Sequence, residues 1–340
     1  MSLAFVFPGQ GAQTVGMLNG FAQSAAVSGL LAEADRALGE SLSGLIANGP
    51  AESLSLTVNT QPAMLVAGLA CYLAWREAGG PEPAAVAGHS LGEYTALTAA
   101  GSFKVDDAVR LVRLRAQAMQ EAVPVGTGSM AAILGLTDDQ VRQACLEAST
   151  DAEVVEAANY NAPAQVVIAG HKSAVDRACE RAKALGAKRA LPLAVSAPFH
   201  SSLLKPAGDR LAVALGTVGL LAPRFALVNN IDAAVESDPA RICDALVRQA
   251  WGPVRWVDVV LGLKARGATH VIEFGPGKVL SGLVSRIDKS LKVSAVFDPP
   301  SLETALRDIA RRLKGLHWSP APRVALGERL RSILRGRAPR

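Results

Sequence analysis

Cysteine is scarce in this sequence, which has four cysteines in 340 residues and no C-x-x-C pair. Cys71, Cys145, Cys179 and Cys243 are therefore expected as small core residues in a reducing cytoplasm, rather than as disulfides or metal ligands. Residues 1–7 lack the basic start and the apolar length of a signal peptide. The longest apolar run covers only residues 64–75, fewer than the ~20 residues of a transmembrane helix. These absences predict a soluble, cytoplasmic protein with no membrane segment and no metal site.

The sequence also lacks a strong charge of either sign over most of its length. Its formal net charge is +5, but residues 301–340 alone hold ten Lys/Arg against three Asp/Glu, while the remainder holds 25 against 27. The basic character therefore belongs to a C-terminal tail. Because this tail has almost no aromatic residues beyond Trp318, we do not expect a nucleic-acid partner.

Apolar segments of β-type composition alternate with segments of helical periodicity. The helical segments include residues 62–77 and 105–121. Such alternation predicts an α/β fold with a hydrolase-like parallel sheet covered by helices on both faces. Sites in such sheets lie at the carboxyl ends of the strands. The predicted strands are Leu3–Phe7, Ala85–Gly88, Phe225–Asn229 and Thr269–Phe274.

Residues 126–195 show a different order of predicted elements: a strand, a helix, two strands, a helix and a final strand. The first of these helices covers residues 138–148 and has Thr137 as its predicted N-cap. This order is the ferredoxin-like pattern. We therefore predict three parts: a discontinuous α/β core from residues 1–125 and 196–300, an inserted ferredoxin-like subdomain over 126–195, and a basic tail over 301–340.

The pentapeptide Gly88-His89-Ser90-Leu91-Gly92 has the form G-x-S-x-G and stands between an apolar run and a helical run. This is the pattern of a nucleophile elbow, in which a sharp strand-to-helix turn lifts the serine hydroxyl into a cleft. We predict that Ser90 is a nucleophile that forms an acyl-enzyme. The alternative is a serine in an ordinary tight turn.

A serine nucleophile needs a base, and the chain has five histidines. His200 is the predicted base, because it ends Ala197-Pro198-Phe199-His200, where the chain re-enters the core after the subdomain. Strand alternation turns His89 away from its neighbour Ser90. The alternative for His200 is a surface loop histidine. The remaining histidines, His171, His270 and His317, fall in the subdomain, in a strand and in the tail.

Acyl transfer also needs fixed donors for the developing oxyanion. In an elbow, one donor is the backbone N–H of the residue after the serine, here Leu91. The loop Gly9-Gln10-Gly11 follows the first predicted strand, and its glycines let backbone N–H groups approach a ligand closely. This loop is predicted to supply the second donor, although it could also be a plain turn.

Arg115 lies on the apolar stripe of the helix predicted over residues 105–121, whereas Arg110 and Arg113 fall on the opposite side. A guanidinium on a buried face keeps its charge and needs an anionic partner. That partner could be a protein Asp or Glu in a structural salt bridge. It could equally be the free carboxylate of an acyl substrate, bound bidentately.

With these residues in place, the chain resembles the malonyl-CoA:acyl carrier protein transacylase family and the acyltransferase domains of polyketide synthases. The resemblance covers residues 3–299 approximately. The motifs that carry it are Phe7-Pro8-Gly9-Gln10-Gly11, Thr60-Gln61-Pro62-Ala63, Gly88-His89-Ser90-Leu91-Gly92-Glu93, Asn159-Tyr160-Asn161, Gln165-Val166-Val167-Ile168-Ala169-Gly170, Ala197-Pro198-Phe199-His200 and Phe274-Gly275-Pro276-Gly277.

The resemblance implies a serine–histidine dyad of Ser90 and His200, oriented by the main-chain carbonyl of Gln249 in place of a carboxylate. It implies an oxyanion hole from the N–H groups of Gln10 and Leu91. It assigns Arg115 to the malonyl carboxylate and places Phe199 and Asn161 in the substrate site, with Phe199 typical of malonyl-selective members.

The resemblance further implies a ping-pong transfer of malonyl from malonyl-CoA to the phosphopantetheine thiol of acyl carrier protein, without a cofactor. We expect a monomer. Two rival functions are an acyl hydrolase on the same scaffold and a non-catalytic module that binds carrier protein. Residues after Pro300 have no recognised counterpart in the family, and they could form a docking arm for an acidic carrier protein or a solvated helical tail.

Overall fold

The structure, a computed structural model, describes residues 2–313. Within this range, ten strands form two separate sheets. The strands are β1 (Leu3–Phe7), β2 (Ala85–Gly88), β3 (Gly128–Leu134), β4 (Val155–Ala162), β5 (Gln165–His171), β6 (Arg189–Pro192), β7 (Ala226–Val228), β8 (Val235–Glu236), β9 (His270–Phe274) and β10 (Lys292–Val296). The α-helices are α1 (Ala25–Leu38), α2 (Leu42–Asn48), α3 (Ala51–Leu54), α4 (Thr57–Glu77), α5 (Gly92–Ala99), α6 (Val105–Glu121), α7 (Asp138–Ala148), α8 (Lys172–Ala184), α9 (Lys205–Leu215), α10 (Pro239–Trp251), α11 (Trp256–Ala265), α12 (Val279–Ile287) and α13 (Pro299–Leu313).

The larger sheet has the strand order β10-β9-β1-β2-β7-β8, and all its neighbours are parallel except the edge pair β7 and β8. Its central strands are buried along their whole length, as a parallel sheet covered on both faces requires; β1 and β2 are apolar throughout, while β9 also carries His270 and Glu273. Successive side chains of β1 point to opposite faces. Phe5 and Phe7 enter one hydrophobic core, and Ala4 and Val6 enter the other. The predicted α/β class and parallel core are confirmed.

The predicted elements agree with the structure best where apolar periodicity is strong. Strands β1 and β2 and helix α6 have the predicted bounds. Helix α4 begins at Thr57, earlier than predicted, with Pro62 inside it. Strand β10 was not predicted, because this half-buried strand with an exposed start has no continuous apolar run.

The smaller sheet is built from residues 128–192 and has the order β4-β5-β3-β6, with every pair antiparallel. Helices α7 and α8 pack on it around a separate hydrophobic cluster. This topology is the ferredoxin-like arrangement predicted from the element order. Thr137 caps α7 as predicted, in a capping box where its Oγ1 accepts from the Gln140 N–H and the Gln140 side chain accepts from the Thr137 N–H.

The boundary expected at residue 300 falls inside helix α13. Leu302, Ala305, Leu306 and Ile309 of this helix are buried in the same hydrophobic cluster as Phe5 and Phe7. The first turns beyond residue 300 therefore pack on the α/β core. The rest of the basic tail, from residue 314 onward, lies outside the described residues, and with it His317 and Trp318.

Within residues 2–313, we find no helix long and apolar enough to cross a bilayer. This part of the chain also holds no cluster of three or more His, Cys, Asp or Glu side chains with metal-binding geometry. The four cysteines are free thiols, and three of them are buried.

Candidate active site

Ser90 occupies a sharp turn between strand β2 and helix α5. Its backbone has a φ of 54°, a conformation that is costly for a residue with a side chain. The flanking glycines allow the turn, since a Cβ on Gly88 would lie 1.8 Å from the carbonyl carbon of Gly92 and a Cβ on Gly92 would lie 2.0 Å from the Phe7 carbonyl oxygen. The G-x-S-x-G pattern therefore has a steric basis here, and the turn has the geometry of a nucleophile elbow.

His200 lies against Ser90 as the sequence predicts. The Ser90 hydroxyl and His200 Nε2 are 2.7 Å apart. On the other side of the ring, Nδ1–H donates to the Gln249 main-chain carbonyl at 2.9 Å and also lies 3.2 Å from the Gly252 carbonyl. Two backbone carbonyls thus hold the imidazole with Nε2 free to accept the serine proton, and no carboxylate takes part in this contact.

The His200 ring is buried. Burial, together with the positive charge of Arg115, lowers the pKa of His200 to about 3. Burial disfavours the charged imidazolium, and a neighbouring cation disfavours it further. His200 is therefore neutral at physiological pH, the protonation state that a general base requires.

The other described histidines are engaged elsewhere. His89 Nε2 is 2.8 Å from Asn161 Oδ1, and His270 Nε2 is 2.9 Å from Ser294 Oγ. His171 Nδ1 accepts from the Val154 N–H. Among the described histidines, only His200 lies within hydrogen-bond distance of the Ser90 hydroxyl.

Arg115 is 1 % exposed, and its guanidinium reaches into the same site from helix α6. It donates to Gln61 Oε1 at 2.7 Å, to Ser90 Oγ at 3.0 Å and to Gln249 Oε1 at 3.0 Å, and it lies over the Tyr94 ring. Among residues 2–313, Arg115 forms no ion pair with a carboxylate. Of the two alternatives left open by the sequence, the structural salt bridge to a protein Asp or Glu is therefore not present in the described chain.

The predicted oxyanion donors face the same cavity. Gln10 and Leu91 line it together with Ser90 and His200, and neither N–H is used in a hydrogen bond within the part of the chain described by the structure. Gln10 belongs to the loop after β1 and Leu91 to the turn after β2, so neighbouring parallel strands bring the two together. Two unused N–H groups beside a serine hydroxyl can stabilise a tetrahedral oxyanion.

The cavity around Ser90 has a volume of about 280 Å³. Phe199, which is 5 % exposed, forms part of its wall next to His200. Asn161 also lines the cavity, although its side-chain oxygen is taken by His89. The inserted subdomain adds apolar surface through Met130 and Val167. The predicted site residues are thus brought together around one cavity, and Gln249 lies behind it.

Comparison with known proteins agrees with this geometry. The model of the acyl transferase domain family matches residues 4–296. The chain belongs to this acyl transferase family. It is 53 % identical over 304 residues to the malonyl CoA-acyl carrier protein transacylase of Escherichia coli strain K12, covering 89 % of this chain and 98 % of that protein. The Bacillus subtilis strain 168 protein of the same name is 44 % identical over 308 residues, covering 90 % of this chain and 97 % of that protein.

Solved structures of acyl transferases show the same fold. The acyl-carrier-protein S-malonyltransferase of Burkholderia pseudomallei 1710b is 64 % identical, with a TM-score of 0.88 and coverage of 90 % of this chain and 100 % of that one. A malonyl-transacylase solved in complex with its type II PKS acyl-carrier protein is 48 % identical, also with a TM-score of 0.88, and covers 91 % of this chain and 100 % of that one.

Sequence reasoning missed the buried hydrogen bonds behind the elbow of this acyl transferase. Asn230 Oδ1 accepts from the Ser90 N–H at 2.7 Å, and its Nδ2 donates to the Gly88 carbonyl. The Asn230 N–H in turn donates to Glu93 Oε2 at 2.9 Å. The available signal was the polar pair Asn229-Asn230 directly after a buried strand, which marked the right edge of the sheet but not these contacts.

Glu93 is the second group that sequence reasoning missed. It is fully buried in the first turn of α5, and burial raises the pKa of its carboxyl to about 7. The signal was a lone carboxylate at the start of an otherwise uncharged helix. In the sequence, however, this acid looks like an ordinary favourable charge at a helix N-terminus.

Proposed function

We propose that this protein transfers a malonyl group from malonyl-CoA to the phosphopantetheine thiol of acyl carrier protein, through a malonyl-Ser90 intermediate. The observation that carries the proposal is the buried Arg115 guanidinium, which touches the Ser90 hydroxyl and has no carboxylate partner in the described chain. An acyl group that ends in its own carboxylate would supply the missing anion.

In the first half-reaction, His200 Nε2 takes the proton of the Ser90 hydroxyl as Oγ attacks the thioester carbonyl. Arg115 turns from Ser90 to the distal carboxylate and holds the acyl chain in place. The backbone N–H groups of Gln10 and Leu91 bind the oxyanion, and loss of one such donor costs about 3–4 kcal/mol of transition-state stabilisation. The carbon–sulfur bond then breaks, and His200 returns the proton to the CoA thiolate.

The second half-reaction reverses these steps with a different thiol. The phosphopantetheine thiol gives its proton to His200 and attacks the malonyl-Ser90 ester, and the Ser90 oxygen leaves with that proton. The name of the Escherichia coli relative supports malonyl-CoA and acyl carrier protein as donor and acceptor. The complex of a related malonyl-transacylase with its acyl-carrier protein supports a direct encounter with the carrier.

We further propose that one chain is a complete catalytic unit, because a single protomer supplies the nucleophile, base, oxyanion donors and carboxylate-binding arginine. The proposed units are the α/β core, which carries these groups, and the inserted subdomain, which closes one side of the cavity.

Phe199 beside His200 is assigned to acyl selectivity, since its ring limits the space next to the reacting carbonyl. Asn161 is assigned to the substrate site through its contact with His89.

The deciding experiment is intact-mass detection of the acyl-enzyme, followed by transfer with and without holo acyl carrier protein. We expect a single malonyl adduct on Ser90 that is discharged onto the carrier thiol and persists without it. Release of free malonate as fast as malonyl transfer would make the protein an acyl hydrolase. Carrier binding without any adduct would make it a non-catalytic binding module.

A further inference from the structure

The Glu93 carboxylate lies directly behind the proposed catalytic site and touches neither Ser90 Oγ nor His200. Its Oε2 accepts two hydrogen bonds, from the Asn230 N–H at 2.9 Å and from Gln249 Nε2 at 3.0 Å. Its Oε1 is buried and has no hydrogen-bond partner in the described chain. A fully buried carboxylate with one unsatisfied oxygen is costly, and the serine–histidine mechanism gives it no task.

The Gln249 side chain links Glu93 to Arg115. Its Nε2 donates to Glu93 Oε2 and to the Ser90 carbonyl, both at 3.0 Å, and its Oε1 accepts from Arg115 at 3.0 Å. With a pKa of about 7, Glu93 is mostly ionised above neutral pH. An ionised carboxylate can only accept hydrogen bonds, so it determines the orientation of the Gln249 amide. With Nε2 committed to Glu93, the amide oxygen must face Arg115.

Arg115 is a buried cation that donates only to neutral groups in the described chain, namely Gln61, Ser90 and Gln249, and its buried Nε has no hydrogen-bond partner there. A buried charge without a compensating charge is strongly unfavourable. Burial lowers the pKa of Arg115, and the negative charge of ionised Glu93, one amide group away, acts in the opposite direction. At this distance Glu93 compensates the charge without itself accepting from the guanidinium, so an incoming carboxylate has only neutral acceptors to displace.

We propose that Glu93 is a positioning residue for acyl selectivity, holding and compensating Arg115 through the Gln249 amide without occupying the donors that bind the substrate carboxylate. A direct ion pair would stabilise Arg115 more strongly, because the two charges would be closer, but it would compete with the substrate. This inference rests on the proposed function, since it concerns the selectivity of the acyl transfer assigned to Ser90.

The chain offers a matched control in Glu273, the only other glutamate in the described range that is fully buried. Glu273 does not belong to the chain of hydrogen bonds that links Glu93 to Arg115. Its two oxygens accept from the Leu280 and Ser281 N–H groups at the start of helix α12. The change Glu273→Gln therefore removes a buried negative charge of the same kind without touching Gln249 or Arg115.

The test compares Glu93→Gln with Glu273→Gln at pH 8, where a Glu93 carboxyl with a pKa of about 7 is mostly ionised. The measured quantity is the ratio of kcat/KM for malonyl-CoA to that for acetyl-CoA, followed as acyl-enzyme formation by intact mass. Glutamine keeps the shape and the acceptor oxygen but removes the charge. We expect Glu93→Gln to lower the ratio about tenfold, mainly through the malonyl-CoA KM, and Glu273→Gln to leave it within twofold. An unchanged ratio in Glu93→Gln, or equal losses in both variants, would overturn the proposal.

Two further variants keep the test decisive if Glu93→Gln folds poorly. Gln249→Met removes the linking amide while leaving both charges and the main-chain carbonyl that faces His200, and we expect a similar fall in the ratio. In an Arg115→Ala background, Glu93→Gln should change the ratio less than twofold, because its effect passes through Arg115. Full selectivity in Gln249→Met, or an additive effect in the double variant, would contradict this role. Absence of any malonyl adduct in the unmodified protein would instead contradict the proposed function.

Discussion

The two sheets of this acyl transferase border the same cavity but contribute different things to it. The parallel sheet supplies polar groups from the ends of its strands, including Ser90 after β2 and Asn230 after β7, and each is held by hydrogen bonds to other parts of the core. The antiparallel sheet of the subdomain contributes apolar wall residues such as Met130 and Val167. The core thus holds all the groups to which the proposed chemistry is assigned, and the subdomain adds apolar wall together with Asn159 and Asn161 of β4.

Replacing Ser90, the proposed nucleophile, tests the chemical contribution of the core and has the largest expected effect. We expect Ser90→Ala to abolish the malonyl adduct completely, because no other hydroxyl in the described chain contacts His200 Nε2. Intact-mass spectrometry after incubation with malonyl-CoA measures this directly. The matched control is Ser129→Ala in β3 of the subdomain, which should form the adduct at the unmodified rate. A persisting adduct in Ser90→Ala would place the nucleophile elsewhere.

Removing the guanidinium separates acyl recognition from acyl chemistry within the core. We expect Arg115→Ala to reduce kcat/KM for malonyl-CoA by roughly 30-fold or more, since truncating a buried charged hydrogen-bonding group costs about 2–5 kcal/mol. Acetyl-CoA has no distal carboxylate, so its kcat/KM should fall much less and its relative use should rise. Acylation rates with the two substrates give both numbers.

Arg110 provides the control for this change. It lies on the exposed side of the same helix, where it pairs with Asp106 and Asp107 at 2.8 and 3.0 Å. Arg110→Ala should leave the preference for malonyl-CoA unchanged, because exposed ion pairs contribute little and this one is far from the cavity. Unchanged selectivity in Arg115→Ala would assign that residue a structural role only.

The pH behaviour of His200 tests the electrostatic environment that the α/β core provides around the cavity. With a pKa lowered to about 3 by burial and by Arg115, the imidazole should stay neutral from pH 8 down to pH 5, which an NMR titration of its ring protons can follow. Arg115→Ala removes a neighbouring positive charge, so the His200 pKa should rise and protonation should begin at higher pH. A His200 that titrates at its ordinary value in the unmodified protein would contradict this picture.

The chemical half of the site was largely predictable from the sequence, while its supporting contacts were not. Ser90 is marked by local backbone chemistry, since a G-x-S-x-G turn needs its glycines wherever it occurs. Arg115 is marked by periodicity, because a charge on an apolar stripe is visible in one helix. Glu93 and Asn230 act through contacts between segments 137 residues apart in sequence. Such pairing depends on the order of strands in the sheet, which local patterns do not encode.

The smallest expected change in kcat/KM comes from a substitution in the subdomain. It tests directly whether the two sheets contribute differently to the cavity. Asn161 in β4 lines the cavity and contacts His89 of the elbow at 2.8 Å. We expect Asn161→Ala to lower kcat/KM for malonyl-CoA by only about fivefold, because one neutral hydrogen bond is worth about 1 kcal/mol. The loss should appear mainly in KM, since Asn161 touches neither Ser90 nor His200.

Tyr160→Phe is the matched change on the same strand, where the Tyr160 hydroxyl faces Arg142 at 3.4 Å outside the cavity. It should leave both kcat and KM unchanged. If Asn161→Ala instead abolished the malonyl adduct as Ser90→Ala should, the division between a reacting core and a shaping subdomain would fail. Steady-state acylation of both variants decides this, because a group that only shapes the cavity changes how well the substrate fits but leaves the Ser90–His200 proton transfer intact.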